Sequence, residues 1–184
     1  MVSALTRLPL CLLLAAGCAK EAADAAPVEA PPAEAPRTAP CVYFKDLEPF
    51  LPKALPGYAT SRDEGSSGKY GDVSVSEAER VFSLGDRELA VRIVDTTVSY
   101  RLGEKIRAAA REAEATPAGN PTAPLRLASA VGFVRFDSSE DRAEANLWVG
   151  DRFVVAVTGR GFRDAREVRD LAGGLDLAGL SKLR

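Results

Sequence analysis

Apolar and polar residues alternate along five stretches of the chain, and this pattern predicts β-strands. In the stretch 88–99, for example, Leu89, Val91 and Ile93 fall on one face of an extended backbone. The apolar parity shifts along the first stretch, which predicts a β-bulge there, and the polar segment 63–68 before it is predicted to be a loop. The five predicted strands are 72–82, 88–99, 127–136, 142–149 and 152–159.

Two other stretches have the spacing of amphipathic helices. Apolar residues recur along one side of 101–114, whereas Lys, Arg and Glu occupy the other side. In 164–172, Asp164 and Glu167 form a variant of the capping box at the predicted helix start. We therefore predict one α+β domain over 41–184, in which an antiparallel sheet of about five strands is packed on one face by these two helices.

The loop around Gly150 decides which side chains share a face of that sheet. A two-residue loop would separate Leu147 and Val155 onto opposite faces, whereas a three-residue or bulged loop places both on one apolar face. We predict the longer loop, because helices can cover a single apolar face. Trp148 then lies on the other face, either partly exposed or covered by another element. The predicted core face contains Val91, Ile93, Leu147, Phe153, Val155 and Val157.

The N-terminus has a different pattern. After Arg7, the segment 8–16 is an apolar run of about nine residues, which suits the core of a signal peptide and is too short to span a bilayer. The run ends in the stretch 14–18, Leu-Ala-Ala-Gly-Cys, which resembles the lipobox of bacterial lipoproteins. The family usually has Leu three residues before the cysteine, where this chain has Ala15. The resemblance implies that 1–17 is a signal peptide and that Cys18 becomes the lipidated first residue of the mature chain.

The residues after Cys18 consist almost entirely of Ala, Pro and acidic side chains, which cannot form a core. We predict that 18–40 is the lipidated cysteine followed by a disordered tether, able to hold a domain up to roughly 60–70 Å from its anchor. Residue 19 is Ala rather than Asp, and by the rule of the lipoprotein family this implies the outer membrane. If the chain has only a plain secretory signal, a Cys18–Cys41 disulfide becomes feasible instead.

Composition limits the chemistry of the domain. Histidine is absent, which excludes Ser-His-Asp and Cys-His catalysis and also His-containing zinc sites. The formal net charge of −2 provides no electrostatic basis for nucleic-acid binding. No calcium-binding loop motif is present. We therefore predict no cofactor, no metal and no nucleic-acid partner.

Three side chains are candidate ligand contacts. Asp95 shares the parity of the apolar face, so it is either a ligand-contacting acid or the structural partner of an arginine at the strand end. Trp148, with Phe133 and Tyr58, is either an aromatic platform for a glycan or lipid or part of the core. Arg160 lies between two glycines before a predicted helix and could contact an anion. Neighbouring carboxylates favour an ordinary solvated surface there instead.

The sequence predicts a cellular location more clearly than a biochemical activity. We predict a membrane-anchored lipoprotein of the cell envelope, lipidated at Cys18 and located in the outer membrane facing the periplasm. Its domain is predicted to be a non-catalytic binding or scaffolding module for a partner protein or a small envelope ligand, with no catalytic residue assigned. The alternative is a carboxylate-dependent hydrolase using residues such as Asp95, although no carboxylate pair has a recognisable spacing.

Overall fold

An antiparallel sheet of seven strands organises the computed structural model, which describes residues 40–116 and 121–184. The predicted signal peptide, the lipidation site at Cys18 and the predicted tether up to residue 39 lie outside the described residues. The spatial order of the strands is β1-β2-β3-β7-β6-β5-β4. The strands are β1 (Ala59–Tyr70), β2 (Val73–Leu84), β3 (Arg87–Thr96), β4 (Thr122–Leu127), β5 (Ala130–Asp137), β6 (Arg142–Val149) and β7 (Phe153–Arg160).

Helical segments precede, interrupt and follow the strands, so the predicted α+β class is confirmed. The longest helix, α2, connects β3 to β4, and α3 and α4 follow β7. The helices are α1 (Phe44–Leu47), continued by a 3-10 turn (Glu48–Phe50), α2 (Ser99–Ala115), α3 (Arg166–Gly173) and α4 (Leu177–Leu180).

The expectation of about five strands missed β1 and β4, which form the two edges of the sheet. The predicted loop 63–68 is part of β1, whose residues are nearly all exposed, and β4 contains Pro124. An exposed edge strand such as β1 needs no alternation of apolar residues, so the pattern that reveals a half-buried strand is absent from it. In β4, a proline within the run argues against a strand. The predicted bulge in 72–82 is also wrong. The register irregularity lies in β1, between Thr60 and Arg62.

The β6–β7 hairpin has the predicted three-residue loop. Val149 pairs with Phe153 and Leu147 pairs with Val155, so Leu147 and Val155 share one face. Gly150 has φ 56° and Asp151 has φ 53°, a left-handed conformation that glycine and aspartate adopt more readily than most residues. The register prediction is therefore confirmed.

The two long helices cover opposite faces of the sheet, and the prediction that they share one face is wrong. Val168 of α3 packs near Gly159, on the face of Leu147. Gly103 of α2 lies against the indole of Trp148, which points to the other face because it follows Leu147 in β6. Burying the large apolar surface of Trp148 on the second face accounts for the position of α2.

Candidate functional site

An open cleft of about 590 Å³ lies where β7 leads into α3. Gly161 has φ 76° and turns the chain away from the sheet at this point. The turn carries Phe162 back onto the core, where its side chain is only 4% exposed. The cleft is lined by Arg87, Gly161, Phe162, Arg163, Asp164, Arg166, Glu167 and Asp170.

Glu167 joins two other elements to the cleft. The Tyr58 hydroxyl donates to Glu167 Oε1 at 2.6 Å, and the Arg87 guanidinium donates to Glu167 Oε2. Arg87 also lies over the Phe162 ring, with its guanidinium carbon 4.1 Å from the ring centroid. These contacts connect the start of α3 to β3 and to the segment before β1.

The phenol of Tyr58 is strongly perturbed. Burial, followed by the hydrogen bond and the negative charge of Glu167, raises the pKa of Tyr58 to about 12, against an opposing contribution from Arg87. Tyr58 is therefore a neutral hydrogen-bond donor at physiological pH. Its hydrogen bond holds one oxygen of the Glu167 carboxylate, which lines the cleft.

The cleft carries both signs of charge. Arg166 donates to Asp164 Oδ2 at 2.7 Å, and its side-chain and backbone hydrogen bonds hold the pKa of Asp164 below the ordinary value. The predicted capping box does not form as expected. Asp164 accepts from the Arg166 backbone N–H at 2.9 Å, whereas Glu167 faces Tyr58 and Arg87. Such a mixed surface can contact polar groups of either charge without selecting anions.

Arg160 is exposed at the end of β7 and does not line this cleft. Its cross-strand neighbours are Glu88 of β3 and Arg142 of β6, which share its face of the sheet. That is the face covered by α2 further along β6, whereas α3 packs on the opposite face. The predicted contact at Arg160 is therefore open to solvent and separate from the α3 cleft.

Asp95 lies in the interior, with 0% exposure. Arg152, which is 8% exposed, donates from Nη2 to Asp95 Oδ2 at 2.8 Å. The Val42 backbone N–H donates to the same carboxylate oxygen at 2.9 Å, and Arg152 Nη2 also donates to the Pro40 carbonyl at 3.1 Å. Of the two roles considered for Asp95, the geometry matches the structural partner of an arginine.

Trp148 is also buried, at 3% exposure. Its Nε1 donates to Asp151 Oδ1 at 3.1 Å, and Arg107 of α2 donates to the same oxygen at 3.1 Å. Phe133 shares its sheet face and lines a separate hollow beside α2. Tyr58 packs against the core on the other face, so these three aromatic residues do not form one platform.

Sequence reasoning missed the cluster of Tyr58, Arg87 and Glu167. The sequence had suggested only an aromatic platform for Tyr58 and a helix cap for Glu167. Glu167 is separated by 109 residues from Tyr58 and by 80 residues from Arg87 along the chain. No periodicity links positions so far apart, and only the order of strands in the sheet brings them together.

Within 40–116 and 121–184, no helix combines the length and apolar composition needed to cross a membrane. The same residues contain no group of three or more His, Cys, Asp or Glu side chains placed to hold a metal ion. No protein-family model, curated protein or solved structure significantly matches this chain.

Proposed function

We propose that this protein is a lipid-anchored lipoprotein of the cell envelope, located in the outer membrane and facing the periplasm. The observation that carries the proposal is the stretch 14–18, a short apolar run ending in small residues and a cysteine. The Ala/Pro/acidic composition of 19–40 supports it, because such a segment separates a folded domain from its anchor.

The start of the domain is consistent with attachment through its N-terminus. The Pro40 carbonyl and the Val42 N–H both bind the buried Arg152–Asp95 pair. A chain that enters the domain through these contacts is connected directly to the interior of the sheet. A pull on the tether would therefore be resisted by buried hydrogen bonds rather than by a fraying surface segment.

The proposed role of the domain is non-catalytic binding or scaffolding, with the α3 cleft as the contact surface. Glu167 and Asp164 in this cleft each bind an arginine, Arg87 and Arg166 respectively. Glu167 is held on both carboxylate oxygens, by Tyr58 and by Arg87, and presents a fixed polar group to a partner. The hydrolase alternative receives no support from Asp95, which lies in the interior and is engaged by Arg152.

Metabolic labelling with palmitate tests the anchor. Label should enter the wild-type protein and be absent from Cys18→Ser, while Cys41→Ser provides a matched control that keeps its label. Membrane fractionation should show the same contrast between the two variants. Label retained in Cys18→Ser would contradict lipidation at that residue.

Site-specific photocrosslinking in the intact envelope tests the contact surface. A photoreactive amino acid at Arg163, inside the cleft, should give one defined adduct, which should weaken when Glu167→Ala disrupts the cleft. The same group at Arg111, an exposed position on α2, serves as the control. Equal adducts at both positions, or none at Arg163, would refute the cleft as the binding surface.

A further inference from the structure

The two edges of the sheet are protected to different degrees. At the β4 edge, Pro124 removes a backbone donor, and Arg126 binds Glu114 of α2 with a 2.9 Å hydrogen bond. The β1 edge is a strand of 12 residues without proline. Its central residues 65–68 are uncharged, so its outer backbone is the more accessible to another strand.

Alternation along the backbone identifies which β1 residues face outward. Thr97 directly follows β3. The Ser74 carbonyl accepts from the Thr97 N–H and the Ser74 N–H donates to the Thr97 hydroxyl, so the backbone groups of Ser74 point toward β3. The backbone groups of Val73 therefore point toward β1, and those of its partner Tyr70 point toward β2. It follows that the backbone groups of Lys69, and of every second residue from there back to Asp63, point away from the sheet. These outward residues are Asp63, Gly65, Ser67 and Lys69.

We propose that this edge binds a second copy of the same chain, with the two β1 strands antiparallel and Ser66 opposite its own counterpart. In this register Asp63, which also binds Arg80 of β2 at 2.6 Å, lies opposite Lys69 of the second copy, and the symmetry repeats the pair. Arg62 lies opposite Tyr70 of the second copy on the other face. The resulting contact is isologous and extends the sheet across both copies.

Charge complementarity selects this register. In an antiparallel pair, residues whose backbone groups point outward must lie opposite one another. The alternative registers are therefore those in which one strand is shifted by two residues along the other. One shift places Asp63 opposite Ser67 of the second copy, and the other places Lys69 opposite Gly65. Both alternatives lose the two cross-strand Asp–Lys pairs, and only the proposed register uses all four outward residues.

The exposure of β1 indicates that no other part of the described chain covers this edge of the sheet. Residues 59–67 are all exposed in the described chain. A second strand would satisfy the outward backbone groups that one neighbouring strand leaves to solvent. The inference depends on the geometry and charges of β1 and stands independently of lipidation at Cys18.

Engineered cysteines test the register. In the full chain with Cys11, Cys18 and Cys41 replaced by Ser, Ser66→Cys should form an intermolecular disulfide under mild oxidation. Its Cα atom would lie about 4.5 Å from its counterpart, within disulfide range. Glu64→Cys, also exposed and on the same face of β1, is the matched control, because its counterpart would lie four residues along the second strand, outside disulfide range. Equal crosslinking of both variants, or none in Ser66→Cys, would overturn the proposed register.

Sedimentation equilibrium of the Cys18→Ser chain tests the association itself. We expect a reversible dimer whose Kd rises at least about tenfold in Lys69→Glu, because the pair with Asp63 becomes repulsive. Lys105→Glu, an exposed substitution on α2, should leave the Kd unchanged, and circular dichroism should confirm that both variants are folded. A monomer at every concentration up to the solubility limit would refute the proposal.

Discussion

The Arg152 guanidinium and the Asp95 carboxylate form an ion pair in the interior of the domain, with Nη2 2.8 Å from Oδ2. The pair connects the β6–β7 loop to the end of β3. Through Pro40 and Val42 it also holds the first described residues of the chain against the sheet. Each charge is balanced by the other, so removing one partner leaves a buried charge without compensation.

Breaking this pair should be costly. We expect Arg152→Gln or Asp95→Asn to lower the free energy of unfolding by about 3–5 kcal/mol, as measured by urea denaturation. The control is Arg166→Ala, whose side chain is 87% exposed and whose pair with Asp164 should contribute little because solvent screens it. Limited proteolysis should also release the segment before α1 faster in Arg152→Gln. A loss below about 1 kcal/mol in both pair variants would contradict this interpretation.

The shared face of Leu147 and Val155 predicts energetic coupling between them. Leu147→Ala or Val155→Ala should each cost about 1–4 kcal/mol, because both side chains are completely buried in the core. Thr158→Ala, which alters the opposite face, should cost about 0–1 kcal/mol. A double-mutant cycle between Leu147 and Val155 should give more than about 0.5 kcal/mol of coupling. Additive losses would indicate that the two side chains do not pack together.

Gly103→Ala should destabilise the protein although alanine normally favours helices. A Cβ atom at Gly103 would lie 2.5 Å from the indole of Trp148, which is buried and cannot move aside freely. The resulting overpacking should cost about 1–3 kcal/mol in thermal or chemical denaturation. Gly173→Ala in α3 is the matched control, since its Cβ meets nothing within 4 Å, and it should be neutral or slightly stabilising. Equal effects of the two substitutions would argue against close packing of α2 on Trp148.

Tyr58 should make stability depend on pH in the alkaline range. Its pKa is raised from 10.0 to about 12, so folding favours the neutral phenol. The resulting stabilisation is fully present below pH 10, the unfolded value, and is lost as pH rises toward about 12. Denaturation of wild type and Tyr58→Phe across this range should show a larger loss in wild type, because groups other than Tyr58 titrate in both proteins. In ultraviolet titration, Glu167→Gln should lower the Tyr58 pKa, and an unchanged titration curve would contradict the contribution assigned to Glu167.

Local patterns in the sequence predicted the strands and helices that have one buried face and one exposed face. Alternation identified β3, β6 and β7, and the face shared by Leu147 and Val155 followed from the rule that helices cover an apolar face. The same reasoning missed β1, because exposed strand residues leave no periodic signal. It also placed α2 on the wrong face, since the amphipathic pattern of a helix shows which side is buried without showing what buries it.

The sequence by itself determined the α+β class, the register of the β6–β7 hairpin and the pattern at Cys18 that predicts an anchor. Each depends on residues close together in the chain, where backbone geometry links spacing to direction. Only the tertiary structure decided that Asp95 meets Arg152, that Trp148 lies beneath α2 and that Tyr58, Arg87 and Glu167 form one cluster. Contacts between distant residues depend on strand order and on competition among whole packing arrangements, which no local spacing encodes.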